Sequence, residues 1–267
     1  WFLEKLAGMI ELEQTLLDYS LETVPILLLK EAKRKNIGDA RIAQLLQVSE
    51  KQIREKLKAS NLRPSYKLVD TCAAEFDAVT PYYYSTWQGI DEVKTTTGKK
   101  IAVIGSGPIR IGQGVEFDYC SVHAALAVKK KGYDAIVINN NPETVSTDYS
   151  IADSLYFEPL AIEDVLHVLE KEQVEGVLIQ FGGQTAINLA HAIKEEGITL
   201  LGTSVEAIDA LEDRKQFYEV LNELNIPHIK GETALQPNEL IVKAKKLGFP
   251  VLVRPSYVIG GQSMYIF

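Results

Sequence analysis

The sequence is poor in the residues that build disulfide frameworks and zinc sites. Its 267 residues include two cysteines, Cys72 and Cys120, which form no CxxC pair, and four histidines that lie apart without metal-ligand spacing. This cysteine usage fits a reducing compartment, so we expect a cytoplasmic protein with neither a disulfide framework nor a zinc site.

Blocks of basic residues and long apolar runs are also missing. The net charge is -8, and a protein that neutralises nucleic-acid phosphates needs clustered lysine and arginine. Residues 39–57 do resemble a helix-turn-helix, but in so acidic a chain we expect ordinary helix packing there. The longest apolar stretch, residues 24–29, is far too short to span a membrane. We therefore expect no nucleic-acid partner and no membrane insertion.

The first hundred residues divide into a helical part and a less regular part. Residues 1–62 carry apolar side chains at helical spacing. Asp39 predicts the cap of one helix, and Ser49 with Gln52 predicts a capping box at the start of another. Residues 63–98 are polar, aromatic and turn-prone, which predicts a linker or hairpin. The apolar positions at helical spacing near the amino end are Leu3, Leu6, Ile10, Leu16, Leu17 and Leu21.

From residue 99 onward, short apolar runs alternate with helical patterns. This alternation predicts a parallel sheet with helices on both faces, whose ligands bind beyond the carboxyl ends of the strands. Near residue 213 the pattern changes to two helices, a strand, a glycine turn and another strand, which we interpret as a new domain. Since the chain starts at Trp1 and ends in a strand-like segment, we expect both ends to be internal to a longer protein. The predicted strands are 101–104, 135–138, 176–180, 199–201 and 249–253, and the predicted helices are 116–131, 162–172, 184–196, 214–224 and 237–247.

Three loops follow successive predicted strands, and we expect them to converge on one edge of the sheet. They span residues 105–114, 139–148 and 180–185, and all are rich in glycine or polar residues. A dinucleotide site is disfavoured, because the third glycine of a GxGxxG pattern comes two positions late and asparagines stand where an acidic residue is expected. Two alternatives remain open for these loops: glycines that only allow close packing, and a polar loop that is merely solvated.

Two arginines and a glycine pair lie near the carboxyl end. Arg214 and Arg254 carry rigid donor groups that suit phosphate oxygens, and the backbone of Gly260-Gly261 can lie over a phosphate chain. Each arginine alone is more often a surface ion pair, but together with the glycine turn they favour nucleotide binding.

Several of these segments together resemble the large subunit of carbamoyl-phosphate synthetase, in order and in spacing. The resemblance covers essentially the whole chain. It rests on the segments GSGPIRIGQGVEFDYC (105–120), NPETVSTD (141–148), QFGGQT (180–185), EDR (212–214) and VRPSY (253–257) with Gly260-Gly261, and upstream on VDTCAAEF (69–76) and TPYYYS (80–85).

The resemblance implies a fold and an activity. Residues 1–62 would end a helical oligomerisation domain, 63–98 would be a linker, and 99–212 a Rossmann-like pre-ATP-grasp domain. Residues 213–267 would be the truncated start of an ATP-grasp domain. The parent protein would be an ATP-dependent ligase that makes carbamoyl phosphate from bicarbonate, ammonia and two ATP, and this piece would belong to the half that phosphorylates carbamate. The resemblance leaves open whether the pathway is arginine or pyrimidine synthesis.

The resemblance also implies site residues and partners. Arg214, Arg254, Gly260 and Gly261 would bind ATP, while Mg²⁺ or Mn²⁺ would be held by residues downstream of this chain. The partners would be a glutaminase small subunit or domain and other large subunits. By itself the chain would be inactive. A subunit-interaction module and another ATP-grasp ligase are the alternatives. The side chains that would line the substrate site or a tunnel are Asn141, Glu143, Thr144 and Gln184.

Overall fold

The computed structural model describes residues 1–94, 96–108, 115–255 and 263–267. It confirms a mixed α/β architecture in which a helical segment precedes a mostly parallel sheet. Within the described residues the helices are α1 (Phe2–Leu16), α2 (Ile26–Arg34), α3 (Asp39–Leu46), α4 (Glu50–Ala59), α5 (Glu116–Lys130), α6 (Ile162–Glu172), α7 (Gly183–Ile187), α8 (Ala190–Glu195), α9 (Val205–Glu212), α10 (Arg214–Glu223) and α11 (Pro237–Leu247), with a short 3₁₀ helix at Val145–Thr147.

The described strands form a six-stranded sheet and a separate two-stranded one. The large sheet has the order β1-β2-β5-β4-β3-β6, in which β2 to β6 run parallel and β1 is an antiparallel edge strand. One face packs on α6 to α9 and the other on α5, so that each face has its own cluster of buried apolar side chains. The strands are β1 (Ser65–Leu68), β2 (Tyr82–Thr86), β3 (Lys100–Ile104), β4 (Asp134–Ile138), β5 (Ser154–Tyr156), β6 (Gly176–Leu178), β7 (Leu252–Val253) and β8 (Tyr265–Ile266).

The helical segment has its own apolar core, and one expectation about its caps is wrong. Ser49 caps α4, and both bonds of the predicted capping box with Gln52 are present. Asp39 does not cap α3: Gly38 is the residue before the first turn, and the Asp39 carboxylate pairs with the buried ammonium of Lys33 instead. A carboxylate that neutralises a buried cation is no longer available to the free amides of the first turn.

The stretch expected to be a linker or hairpin contributes two strands to the large sheet. β1 pairs with β2, and β2 extends the parallel sheet by pairing with β5. The side chains of Tyr66 and Tyr83 enter the core beneath the sheet, whereas Phe76 and Tyr84 are exposed. Strands as short as β1 and β2 carry too few residues for their sequence pattern to be recognised.

Several element boundaries differ from the predicted ones. β5 was not predicted, and the segment 199–201 forms an isolated bridge between Val177 and Leu200 rather than a strand. The predicted helix 184–196 is divided into α7 and α8, and α9 was not predicted. Each difference concerns a short element, whose existence depends on what lies beside it in the fold.

Three charged contacts attach the helical segment to the sheet part. The buried Lys33 ammonium contacts both Asp39, at 2.9 Å, and Glu163 on α6. From α4, Arg54 pairs with Glu196 at 2.8 Å and Lys58 with Glu170 at 2.7 Å. Two cations of α4, the second helix of the helix-turn-helix pattern, are thus paired with acidic side chains of this same chain.

Residues after 213 bury little in the described part of the chain. Val251 is the one buried apolar residue there, and neither α10 nor α11 has a buried residue. β7 and β8 pair antiparallel, as expected for a strand, a turn and a strand. Over the described residues, no helix has the length and hydropathy needed to cross a membrane.

Candidate functional site

The loops that follow β3, β4 and β6 meet at the carboxyl edge of the sheet, as the sequence predicts. Gly182, after β6, lies so close to the loop after β3 that a Cβ atom on it would stand 2.6 Å from the Ile104 carbonyl oxygen and closer still to that of Gly105. A Cβ on Gly105 would stand 2.6 Å from the Asn139 side chain, in the loop after β4. Close packing between loops is therefore one purpose of these glycines, in agreement with the packing alternative.

Asn139 connects the first two loops. It is 1% exposed, and its amide oxygen accepts hydrogen bonds from the backbone N–H groups of Gly107, at 3.0 Å, and Asn141, at 3.4 Å. Its amide nitrogen donates to the Ser146 hydroxyl at 3.3 Å. A carboxylate here could accept the first two bonds but could not donate the third, which gives a structural reason for asparagine where a dinucleotide site would have an acid.

Asp118 fixes the far end of the polar loop from α5. Its carboxylate accepts from Val145 N at 2.8 Å and from Ser146 N at 3.1 Å, which are the first two amides of the 3₁₀ helix. Asp118 is 8% exposed and Ser146 is fully buried. A carboxylate that satisfies two helix-end amides is a charge-assisted cap, and such bonds are stronger than those between neutral groups.

The predicted side chains of this loop have different surroundings. The Asn141 amide bonds within the loops, donating to the Gly107 carbonyl at 3.4 Å and accepting from Glu143 N at 3.0 Å. The Thr144 hydroxyl donates to the Asn141 carbonyl at 3.1 Å. Glu143 is exposed, and among the described residues its carboxylate has no hydrogen-bond or ion-pair partner. Of the three, only Glu143 has a side chain without a hydrogen-bond or ion-pair partner among the described residues.

Gln184 does not join this cluster through any hydrogen bond within the described part of the chain. It lies in the first turn of α7, is exposed, and donates to Asn188 on the same face at 3.0 Å. Its position at the carboxyl edge agrees with the sequence prediction, but its side chain is engaged along its own helix.

The two predicted arginines stand on different elements of the carboxyl-terminal part. Arg214 is the first residue of α10, after Asp213, whose side chain caps the helix through Gln216 N at 2.8 Å. Arg254 follows β7 and is exposed. Neither guanidinium forms an ion pair or side-chain hydrogen bond with another described residue, so the surface-ion-pair alternative finds no partner in that part of the chain. Gly260 and Gly261 lie outside the described residues.

A buried carboxylate at the same edge was not predicted from the sequence. Glu158 follows β5, is 2% exposed, and accepts from the Ser85 backbone N–H and, at 2.8 Å, from the Ser85 hydroxyl. Burial raises the pKa of Glu158 to about 7, against the opposing effect of the two Ser85 bonds. In the sequence, Glu158 is only an acidic residue before a proline. That its carboxylate is buried and bonded to Ser85 becomes evident only when β2 is seen to lie beside β5.

The described residues contain no group of three or more histidine, cysteine, aspartate or glutamate side chains that could hold a metal ion. The expectation that metal ligands lie downstream of this chain is not tested by that finding and stays a prediction. Both cysteines are free thiols.

Three family models match successive parts of the chain. Residues 1–61 match the carbamoyl-phosphate synthetase large chain oligomerisation domain, and residues 97–210 match the carbamoyl phosphate synthase pre-ATP-grasp domain. Residues 213–267 match the carbamoyl-phosphate synthase L chain ATP binding domain. The matches follow one another along the chain, with residues 62–96 and 211–212 between them.

Curated relatives match along the full chain. The carbamoyl phosphate synthase large chain of Methanothermobacter thermautotrophicus is 53% identical over 266 residues, which is 100% of this chain and 25% of that protein. The arginine-specific large chain of Geobacillus stearothermophilus is 52% identical over 267 residues, 100% of this chain and 26% of that protein. The chain thus spans about a quarter of the length of these relatives.

Among solved structures the likenesses are distant. Pyruvate carboxylase of Rhizobium etli is 18% identical with a TM-score of 0.48, over 64% of this chain and 15% of that one. A relationship this remote adds nothing to what the strands and helices of the chain already show. The three consecutive domain matches and the identity above 50% along the whole chain place it in a family: it belongs to the carbamoyl phosphate synthase large chains.

Proposed function

We propose that the chain is part of a carbamoyl phosphate synthase large chain, an ATP-dependent ligase that makes carbamoyl phosphate from bicarbonate, ammonia and two ATP. The observation that carries this proposal is the 53% identity across the entire chain. We place the chain in the half that phosphorylates carbamate, because the match to the oligomerisation domain comes before the match to the pre-ATP-grasp domain in this chain.

The nucleotide would be bound by Arg214, Arg254, Gly260 and Gly261. Both arginines suit this role because their guanidinium groups are free of partners among the described residues and can pair with phosphate oxygens. When ATP is bound, it supplies the phosphoryl group for the ligase reaction. The contribution of the arginines is to position the phosphates and to neutralise the negative charge that spreads over their oxygens during transfer.

The polar loop after β4 would face the second substrate or the passage that leads to it. In this proposal Glu143 is the side chain that meets solvent or ligand, while Asn141 and Thr144 shape the loop. Gln184 would border the same region from the start of α7. Mg²⁺ or Mn²⁺ would be held by carboxylates beyond residue 267.

The association of the protein would use its helical part. The match of residues 1–61 to the oligomerisation domain supports contact with other large chains through this segment. Domain limits at 1–62, 63–98, 99–212 and 213–267 remain part of the proposal, as does a glutaminase subunit or domain that would supply ammonia from glutamine.

The nucleotide assignment can be tested with Arg254→Ala in the full-length large chain. We expect at least about a tenfold loss in the ATP-dependent carbamate step, since a charge-assisted bond to phosphate is worth roughly 1.5–3 kcal/mol. Bicarbonate-dependent ATP hydrolysis, which belongs to the other half, should remain near the wild-type rate. Arg63→Ala is a matched control, because this exposed arginine makes a long 3.9 Å contact with Glu170. Equal loss of both ATP-dependent activities would argue against the placement in this half.

A further inference from the structure

A buried polar cluster lies behind the loop that carries the candidate substrate residues. We name Asp118, Ser146 and Asn139 the loop clamp, because they join α5, the 3₁₀ helix and the end of β4. All three side chains are at most 8% exposed. The clamp therefore lies beneath the loop and has no surface from which to touch a ligand itself.

Every hydrogen-bonding group of the clamp that faces the loop is used. Asp118 binds two successive amides of the 3₁₀ helix, and Ser146 also accepts from the Asn139 amide. Asn139 in turn accepts from Gly107 N, in the first glycine loop. The polar loop is thus fixed at both its ends and to its neighbour.

The residues that the clamp supports are the ones on the exposed side. Glu143 lies between the two anchored points, two residues before Val145 and four residues after Asn139. Its backbone N–H is held by Asn141, whose own N–H is held by Asn139. A displacement of Asp118 or Asn139 would therefore move the backbone of Glu143.

We infer that the loop clamp is a positioning device for the carbamate step, which sets the place of the loop 141–148 against the first glycine loop without contacting substrate. This inference rests on the proposed function. The loop clamp should therefore affect the amount of carbamoyl phosphate formed per ATP hydrolysed. It should not affect the affinity for ATP, because Arg214 and Arg254 lie on other elements.

The first measurement is hydrogen exchange at the backbone of the 267-residue chain. Asp118→Asn keeps the shape of the side chain and removes the charge, so the exchange of the Val145 and Ser146 amides should rise roughly 10-fold to 100-fold, as expected for a lost bond to a charged group. Asp153→Asn is the matched control: its carboxylate accepts from Ala135 N at 2.8 Å, at the opposite edge of the sheet. That variant should leave the Val145 and Ser146 amides protected.

The second measurement uses the full-length large chain with ammonia as the nitrogen source. In Asp118→Asn, carbamoyl phosphate formed per ATP hydrolysed should fall by roughly 10-fold to 100-fold, the range for a small misplacement of a site group. The KM for ATP and the bicarbonate-dependent ATP hydrolysis should stay within about twofold of wild type. If Asp118→Asn does not fold, Ser146→Ala replaces it, since this change removes the Asn139 bond and keeps both backbone bonds to Asp118.

The outcomes separate the two proposals. An unchanged product-to-ATP ratio alongside faster exchange of the two amides would refute the clamp as a positioning device. A rise in the KM for ATP with an unchanged ratio would refute it as well. A wild-type full-length chain that makes no carbamoyl phosphate would instead refute the proposed function, while the hydrogen-exchange result would still report on the clamp alone.

Discussion

Replacement of Lys33 by methionine should destabilise the contact between the helical segment and the sheet part. Lys33 is 1% exposed, and its ammonium neutralises the carboxylates of Asp39, which is fully buried, and Glu163. Methionine fills a similar volume but leaves two neighbouring carboxylates without a cation. Removal of one partner from a buried ion pair costs about 3–5 kcal/mol, and we expect a loss of this size in the free energy of unfolding at pH 8.

The loss should depend on pH in a direction that the structure fixes. Burial, and next the charge of Glu163, raises the pKa of Asp39 to about 6 even with Lys33 present. Because the folded state holds this proton more tightly than the unfolded state does, the contribution of Asp39 to stability is full below its ordinary pKa and is lost as the pH rises through 6. Without the ammonium the pKa of Asp39 should rise by about one to two units more. Each unit is worth about 1.4 kcal/mol, so the variant should recover about 1–3 kcal/mol relative to wild type between pH 8 and pH 5.

Urea unfolding followed by tryptophan fluorescence suits this measurement, because the Lys33 ammonium lies 5.0 Å from the centre of the Trp87 ring. His167 packs edge-on against Trp87, and burial lowers the pKa of His167 to about 4. Because the unfolded state binds this proton more tightly, His167 lowers the stability of the fold as the pH falls below the ordinary pKa of histidine. The charge of Lys33 is one of the smaller causes of that lowering, so the variant should lose less stability through His167 on acidification than wild type does, in the same direction as the Asp39 effect. Lys30→Met, on the exposed side of the same helix, is the control and should change stability by less than about 0.5 kcal/mol. An equal loss for Lys33→Met at pH 8 and pH 5 would refute the reasoning.

Two further predictions concern the convergence of the loops and the activity of the chain. Gly182→Ala should lower the free energy of unfolding by about 1–3 kcal/mol, because the new methyl group would meet the backbone carbonyls of Ile104 and Gly105 rather than a movable side chain; a thermal melt that matches wild type would contradict that close approach. The 267-residue chain by itself, supplied with ATP, bicarbonate, ammonia and magnesium, should form no carbamoyl phosphate, since the residues proposed to hold the metal lie beyond it; measurable turnover in a coupled assay would show that a complete site is present.

Local sequence signals predicted the longer elements well. The capping box at Ser49, the helix of residues 162–172 and the helix of residues 237–247 lie where their patterns indicate. Each of these signals depends on residues a few positions apart, which is the range over which helix caps and helical periodicity act. The same reasoning assigned Asp39 to a cap, and it failed because the preference of a carboxylate for helix amides is outweighed by a buried ammonium.

The candidate site shows a similar division. Convergence of the loops after β3, β4 and β6 follows from parallel strands, whose carboxyl ends share one edge, and it could be predicted before any contact was known. The different surroundings of Asn141, Glu143 and Gln184 could not be predicted from the sequence. A side chain bonds to whichever group the fold brings within about 3 Å of it. Glu158 and Asp118 were missed for the same reason.

By itself the sequence determined the alternation of strands and helices, the acidic charge that disfavours nucleic acid, and the motifs that indicate the family. Those properties are carried by residue type and short spacing. The tertiary structure alone decided that residues 63–98 extend the sheet, that α4 directs Arg54 and Lys58 at acidic side chains of the same chain, and that Asp118, Ser146 and Asn139 hold the polar loop from beneath. These features join residues far apart in the chain, and only the packing of one element on another brings such residues together.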